Sequence, residues 1–484
     1  MTADLNGDGL TDIVRVRNGE VCYWPNLGYG RFGTKFSMDN APHIDYPDRF
    51  DPSLIQFADI SGTGAADLIY LGRGGFLAWI NLAGNAWGDA QPIDPFPGTE
   101  RPNRLFVLDI LGNGTASLVW SSELPANSSA PLRYVDLMGG RKPYIINGYK
   151  NNFGTEVSIE YTSSAHFALL DRKEGRPWAT KLPFPTMCVS RVETQDTITG
   201  SSYIRLYRYR HGYYDHIERE FRGFGMVEQT DSETFDNFQA TGANNVVDQR
   251  VFQAPVRTRT WFHTGAYIGG VTILRQFASD YYQGETTPEF VLSDAVIDAE
   301  SPGPDEVREA VRACKGMMLR QEIYANDNSS LAANPYSTAE HNCYIRMLQP
   351  RLSNRYAVFL AHESESITYH YERNANDPRI AHQLNTVVDA FGNVVESASV
   401  VYGRVTADPS LPPEAQAEQG RIRATYTVNA FTNDVIADNA YRPRMLCDAQ
   451  VVELTGITPK QFCFAVNEIH DLFHAAADLA YQQS

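Results

Sequence analysis

Apolar and polar positions alternate with a period of two through much of the chain, the signature of strands with two different faces. The strongest case is Tyr203–Asp231. There Ile204 and Leu206 share a face with Arg208 and Arg210, and Tyr203, Arg205, Tyr207 and Tyr209 take the other. Gly212 punctuates the run, as a turn between paired strands would, and a second run alternates Ile217, Phe221 and Val227 with Glu218, Glu220 and Arg222. Broad aromatic and guanidinium side chains on both faces predict a sheet with two wetted or half-wetted surfaces, the wall of something large. Thr155–Tyr161 and Cys188–Thr197 read as further strands, and from Val256 to Phe431 short strands follow one another between turns rich in Asn, Asp, Pro and Gly.

Helical periodicity breaks this pattern twice. Pro304 suits a first helical position, Val307, Ala310, Val311 and Cys314 form one face, and Gly316 falls where a left-handed cap belongs. A last helix is expected from about Pro459 to 480, with Thr458 and Gln461 as capping box and Phe462, Val466, Ile469 and Phe473 as apolar stripe.

The first part of the chain carries a decaying repeat. Asp4-Leu-Asn-Gly-Asp-Gly-Leu-Thr-Asp12 recurs at Asp59–Asp67, 55 residues on, and again at Asp109–Ser117, 50 residues further. Each copy leads into a short apolar strand; Trp24 and Asn26 recur as Trp79 and Asn81, and Phe32-Gly33 as Trp87-Gly88. That period fits a propeller blade, and the repeat resembles the FG-GAP type. Propellers close with about four or more blades, so the chain is expected to begin inside an incomplete one. In the first loop Asp4, Asn6, Asp8, the Leu10 carbonyl and Asp12 offer oxygens at alternate positions, a spacing that can wrap Ca²⁺. The same residues can instead cap tight glycine turns with their side chains. Both readings stand at this point, although the loss of oxygens across the copies favours shape over metal.

Composition narrows the function. With 41 Lys and Arg against 58 Asp and Glu, the net charge is −17, which argues against nucleic acid or an anionic membrane as partner. No apolar run approaches the roughly 20 residues that span a bilayer, and the residues after Met1 lack the basic and apolar regions of a signal peptide. Six scattered cysteines, with no CxxC, signal neither zinc nor a disulfide framework. Gly28-Tyr-Gly-Arg-Phe-Gly33 spells a dinucleotide fingerprint but leads into no helical pattern, and Arg222–Glu228 only partly mimics an RNA-binding octamer. His470 and His474 stand one helical turn apart without a third evident ligand, which reads as a solvated helix flank. Glu218/Glu220 and Glu372/Asp377 could be drawn as acid/base couples, but no nucleophile motif accompanies them.

The wording HGYYD, EREFRGFG and VEQTD within 211–231, with YHYERN, DPRI and VDAFGNV within 369–394, resembles the TcB/TcaC-like B component of bacterial insecticidal toxin complexes. Asp389-Ala-Phe-Gly-Asn393 resembles the turn of Rhs repeats. The resemblance implies an all-β fold, a partial FG-GAP-type β-propeller followed by a Rhs-like β-sheet shell with two short helices. Its expected domains are 1–130 (propeller blades, as in SpvB-like proteins), 131–240 (toxin middle N-terminal region) and 241–484 (middle C-terminal region, helices near 304–316 and 459–480). It implies a non-catalytic part that needs no cofactor. With a Rhs-type C component it would enclose a toxic fragment in a hollow shell, and its propeller would dock on the pentameric A-component channel. Such a complex acts outside the cell after assembly in the bacterial cytoplasm, with no direct membrane insertion by this chain. As part of a larger assembly, the chain alone is expected to aggregate through open sheet edges. Two other readings compete with it: a calcium-dependent adhesion propeller on a β-stalk, which requires intact metal loops, and a polysaccharide-active enzyme, which requires an acid/base cluster that the sequence does not display.

Overall fold

Backbone pairing turns the alternating segments into antiparallel strands. The computed structural model describes residues 1–72, 75–93, 105–121, 125, 128–200, 202–231, 255–268, 273–284 and 290–479. The contacts divide the chain into two units, Met1–Lys150 with Ser158–Glu174 and Phe184–Ser190, and Asn151–Val157 with Gly175–Pro183 and Arg191–Ser484. Gly269 and Gly270, inside one expected short strand, lie outside the described residues.

In the first unit each repeat builds a small antiparallel sheet. The first runs Thr2–Ala3, Asp12–Arg17, Glu20–Trp24, Phe36–Ser37; the second Gln91–Ile93, Phe76–Trp79, Asp67–Tyr70, Ile55–Ala58; the third Leu105–Leu108, Ser117–Ser121, Leu132–Asp136. The last residue of each acidic loop (Asp12, Asp67, Ser117) starts an inner strand. One core joins Leu5, Val14, Val21 and Tyr23 of the first repeat to Leu68, Trp79 and Trp87 of the second. Another joins Ile69 and Ala78 to Leu105, Leu118 and Trp120 of the third. Each sheet thus buries a face against its neighbour, as blades do. The backbone repeats the relation: Ala66 N–H donates to Asp4 O at 2.7 Å, and Ala116 N–H to Asp59 O at 3.2 Å. The GxGxxG stretch forms the hairpin Asn26–Gly28/Arg31–Phe32.

The second unit is one long antiparallel run. From Arg191, within the strand Met187–Asp196, its order continues Ser202–Asp215, Glu220–Asp231, Val256–Phe262, Met318–Ala325, Pro335–Gln349, Val358–His370, Arg379–Val388, Val394–Tyr402, Arg423–Phe431 and Leu446–Leu454. Val296–Asp298 adds a short parallel pairing to Tyr344–Arg346. Period two decides which side is buried. Ile367 and Tyr369, Ala398, Val400 and Tyr402, and Ala424 and Tyr426 share a core with Phe464 and Ile469, whereas Val401 between them is exposed. The turn Asp389–Asn393 links Arg379–Val388 to Val394–Tyr402, with the Asp389 carboxylate accepting from Phe391 N–H and Asn393 N–H at 2.8 and 2.9 Å. Burial raises the Asp389 carboxyl, but the Asn393 side chain, these N–H groups and Arg444 outweigh it and pull it down to about 2.

Two expectations about Tyr203–Asp231 are corrected. Gly212 is not a turn. Ser202–Asp215 runs through it as one strand with a bulge beside it, and the chain reverses at 216–219. The bulge's extra residue lies on the partner strand, where Gly223 takes φ of 85°; Gly212 is set by packing, since a Cβ there would sit 3.1 Å from both the Phe224 and Trp178 rings, a tight fit that favours glycine. The half-wetted faces hold over much of the ribbon, with Tyr203 36% and Leu206 40% exposed and Tyr213, Tyr214, Phe221 and Val227 half-buried, but not around its middle. Arg210, His211, Asp215, Arg222 and Met226 are buried, the last in a core with Trp261, Phe277 and Tyr281.

Among the described residues there are four α-helices rather than two. Pro304–Ala313 follows the expectation, with Pro304 at its start, Ala310, Val311 and Cys314 buried, and Gly316 at φ 85°. Ser164–Lys173 and Pro413–Gln419 were unforeseen; the latter buries no residue, so it leaves no apolar stripe to read. The last helix is Val466–Ala475, shorter than expected. Glu468, not Gln461, accepts from the entering chain, taking Lys460 N–H at 2.8 Å and Ala465 N–H at 3.3 Å, and Phe462 stays outside. No described helix is long and apolar enough to cross a membrane.

Candidate functional site

The acidic loops are hydrogen-bonded moulds. Asp4 accepts Gly7 N–H and Gly9 N–H, each at 2.8 Å; Asn6 accepts Asp8 N–H at 3.1 Å; Asp8 accepts Leu10 N–H at 2.8 Å. Asp12 is buried and its two oxygens take Leu5 N–H and Asn26 N–H, both at 2.9 Å. Burial raises the Asp4 carboxyl and the charges of Asp8 and Asp12 raise it further, against the pull of Gly9 and Gly7. The later copies keep the mould. Asp59 takes Thr63 N–H and Gly64 N–H at 3.0 and 2.9 Å; Asp109 takes Asn113 N–H and Gly114 N–H at 3.1 and 2.8 Å. Asp67 accepts Ile60, Ser61 and Asn81 N–H at 3.0, 2.9 and 2.7 Å. Asn81 Nδ2 reaches back to Leu5 O at 2.9 Å, which gives the Trp-x-Asn part of the repeat its role. Of the five expected calcium donors, Asp12 points both carboxylate oxygens at backbone donors, so it fits a turn strut better than a ligand.

In the second unit, charges buried in the sheet are paired. Asp280 meets Arg210 Nη1 at 2.7 Å and His211 Nε2 at 2.8 Å; burial raises its carboxyl, yet His211 and then Arg210 outweigh this and hold it below its ordinary value. Arg222 lies 2.7 Å from Asp215 and donates to Gly265 O at 2.8 Å. Arg320 spans Glu322 (2.8 Å) and Glu340 (3.1 Å), and Glu322 also accepts from Tyr324 hydroxyl and Tyr282 N–H, both at 2.7 Å. The guanidinium of Arg257 stands 4.9 Å over the Tyr324 ring. Such groups hold strands in register because each charge answers another, and none is left as an activated base.

The carboxylates considered as acid/base couples are likewise engaged. Glu220 meets Lys315 at 2.6 Å and Arg222 at 3.2 Å, and Glu218 accepts from Tyr356 hydroxyl at 3.1 Å. Asp377 faces Arg404 at 3.4 Å, and Glu372 pairs with Arg379. A cavity of about 1000 Å³ in the first unit is lined by Asp45, Asp48, Arg49, Asp51 and Tyr70, with no Ser, Cys or His among its described lining residues. Two features escape the sequence. Cys314 and Cys343, 29 residues apart, bring their buried Sγ atoms to 3.6 Å as free thiols. Glu396 joins His470 and His474, and their donor atoms lie within 4.8 Å of one another. The one-turn spacing of His470 and His474 is legible in the sequence, where it reads as a solvated helix flank; Glu396 and the Cys314/Cys343 pair have no spacing signal, because folding rather than a short motif brings them in.

Residues 89–265 match the family model of the insecticide toxin TcdB middle/N-terminal region, and residues 309–442 that of the TcdB middle/C-terminal region. No curated protein matches the chain by sequence. Among solved structures, the crystal structure of TcdB2–TccC3 is similar at 28% identity and a TM-score of 0.78, over 94% of this chain and 22% of that one. The complex TcdB2–TccC3–Cdc42 gives 28% and 0.77, over 94% and 21%. The Photorhabdus luminescens Tc holotoxin pore gives 27% and 0.76, over 93% and 21%. The chain therefore spans about a fifth of the length of the solved chains it matches.

Proposed function

We propose, from the premise that this chain is a Tc toxin B component-like polypeptide, that it serves as walling in a toxin complex and performs no chemistry itself. In this reading the long sheet, with a Rhs-type C component, surrounds a chamber that holds the C component's toxic fragment. The repeat unit is the gate that docks on the pentameric A-component channel, and crossing of the target membrane is left to that channel. The complex acts outside the producing cell after assembly in its cytoplasm. Calcium is not required, since the acidic loops are held by their own N–H groups.

The observation that carries this reading is the overlap of 94% of the chain with TcdB2 in a structure whose name pairs it with TccC3. The sheet suits the role: its buried charges are answered internally, and a face edged with Tyr, Arg, Glu and Ser offers an enclosed chain little to stick to. The test is co-expression of this chain, in its native reading frame, with a C-type protein bearing Rhs repeats. Copurification, with the partner's C-terminal fragment protected from protease, is expected. Absence of a stable complex sinks the reading.

A further inference from the structure

The partly exposed flank of the last helix that faces the sheet carries a feature that walling does not need. His470 and His474 occupy successive turns of Val466–Ala475, so both imidazoles leave the same side of the helix. Their ring centroids are 4.4 Å apart. Opposite them, from the strand Val394–Tyr402, comes Glu396. Its Oε2 lies 3.0 Å from His474 Nε2 and 3.9 Å from His470 Nε2. Within the described residues this is the single set of three or more His, Cys, Asp or Glu side chains with converging donors.

The surroundings hold these donors in place. Ile469 is fully buried and Phe473 stacks on Tyr426 at 3.9 Å and 10°, which pins the helix on the sheet in one rotation. Tyr426 hydroxyl donates to Glu396 Oε2 at 2.7 Å and meets Thr386 Oγ1 at 2.8 Å. On the other ring nitrogen of His470, Nδ1 lies 3.3 Å from Asp471 Oδ1, which turns Nε2 toward Glu396. A carboxylate behind a ligand imidazole, and a hydroxyl behind a ligand carboxylate, are the outer contacts that orient metal ligands. The imidazoles are partly open to solvent while Glu396 is nearly covered, so a water can complete a four-coordinate shell.

We propose that Glu396, His470 and His474 form a binding site for a divalent transition ion, Zn²⁺, that clamps the last helix to the sheet. Two imidazole nitrogens and one carboxylate oxygen suit zinc, whereas Ca²⁺ and Mg²⁺ prefer all-oxygen shells. The ion joins a strand and a helix 74 residues apart in sequence, from Glu396 to His470. This inference stands independently of the toxin-complex reading.

The test is calorimetric titration of the full chain with ZnCl₂, with Co²⁺ substitution read by its visible absorption as a report of tetrahedral N/O ligation. One ion per chain is expected, with a rise in melting temperature on binding. Glu396→Gln, His470→Gln and His474→Gln should each weaken binding at least about tenfold, with circular dichroism confirming that each variant stays folded. Asp471→Asn, which leaves all three ligands in place, should weaken it less. Absence of saturable binding, or binding that survives the double change His470→Gln/His474→Gln in a folded chain, overturns the proposal.

Discussion

The repeat unit and the long sheet use the same polar residues in opposite ways. In the repeats, Asp and Asn serve the backbone within a few residues: Asp4 reaches Gly9, Asp59 reaches Gly64, and Asp109 reaches Gly114. In the sheet the carboxylates serve remote guanidiniums: Arg210 finds Asp280, and Arg320 finds Glu340 across a strand pair. A local carboxylate shapes a turn before the fold is complete. A remote one is satisfied only when the strands are already in register, so it reports on the tertiary fold and is costly when its partner is lost.

The comparison can be broken most readily at Arg320. Arg320→Ala should cost about 3–5 kcal/mol in chemical denaturation of the second unit, because Glu322 and Glu340 then keep buried charge without a cation. A loss under about 1 kcal/mol would mean that these charges are not needed for register.

Next comes acid. His263 is held neutral, with Nδ1 accepting Gly265 N–H at 2.9 Å and Nε2 against Ile273 O at 3.0 Å, and burial lowers its value to about 4. The unfolded chain therefore takes up a proton first as pH falls through about 6.5. Stability present above that pH should be lost progressively down to about pH 4, by about 3 kcal/mol in all. His263→Gln should flatten that slope in pH-dependent denaturation; an unchanged slope would place the acid sensitivity elsewhere.

In the repeat unit, Asp67→Ala strands three backbone donors but also removes a carboxyl that burial alone has raised. The net loss should be about 1–3 kcal/mol, smaller than at Arg320, as seen by local hydrogen exchange in Ile60, Ser61 and Asn81. The smallest effect is expected from calcium: titration with Ca²⁺ against EGTA should leave the melting of the repeat unit where it was. A large shift would instead favour loops that need the ion, as an adhesion propeller requires.

This difference also sets what can be read from sequence. The repeat loops were legible because the bonds that shape each turn close within seven positions, so spacing reveals them, and the longer reach to Asn26 and Asn81 shows only as the recurrence of Trp-x-Asn. The strands were legible from alternation, and Pro304–Ala313 from its start, stripe and Gly316. The last helix was misplaced because Thr458 and Gln461 mimic a cap, while the accepting carboxylate, Glu468, lies inside the helix. Gly212 was misread because close packing against the Phe224 and Trp178 rings favours glycine as a turn does. Both faces of the ribbon were expected to be at least half wet because arginine usually is; that Arg210 and Arg222 are buried depends on Asp280, Asp215 and Gly265, whose approach no local pattern encodes. Glu396 was invisible as a third donor for the same reason.

The bonds that join successive repeats carry a consequence for how this part of the protein is made. Asp4 O waits for Ala66, Leu5 O for the amide of Asn81, and Asp59 O for Ala116. Each unit is therefore left with unpaid polar debts until the next has emerged and closed on it, so assembly should advance like a zip, with each tooth locking the one before. A ribosomal pause within the second repeat would catch the first as a half-latched intermediate, open to proteases and chaperones.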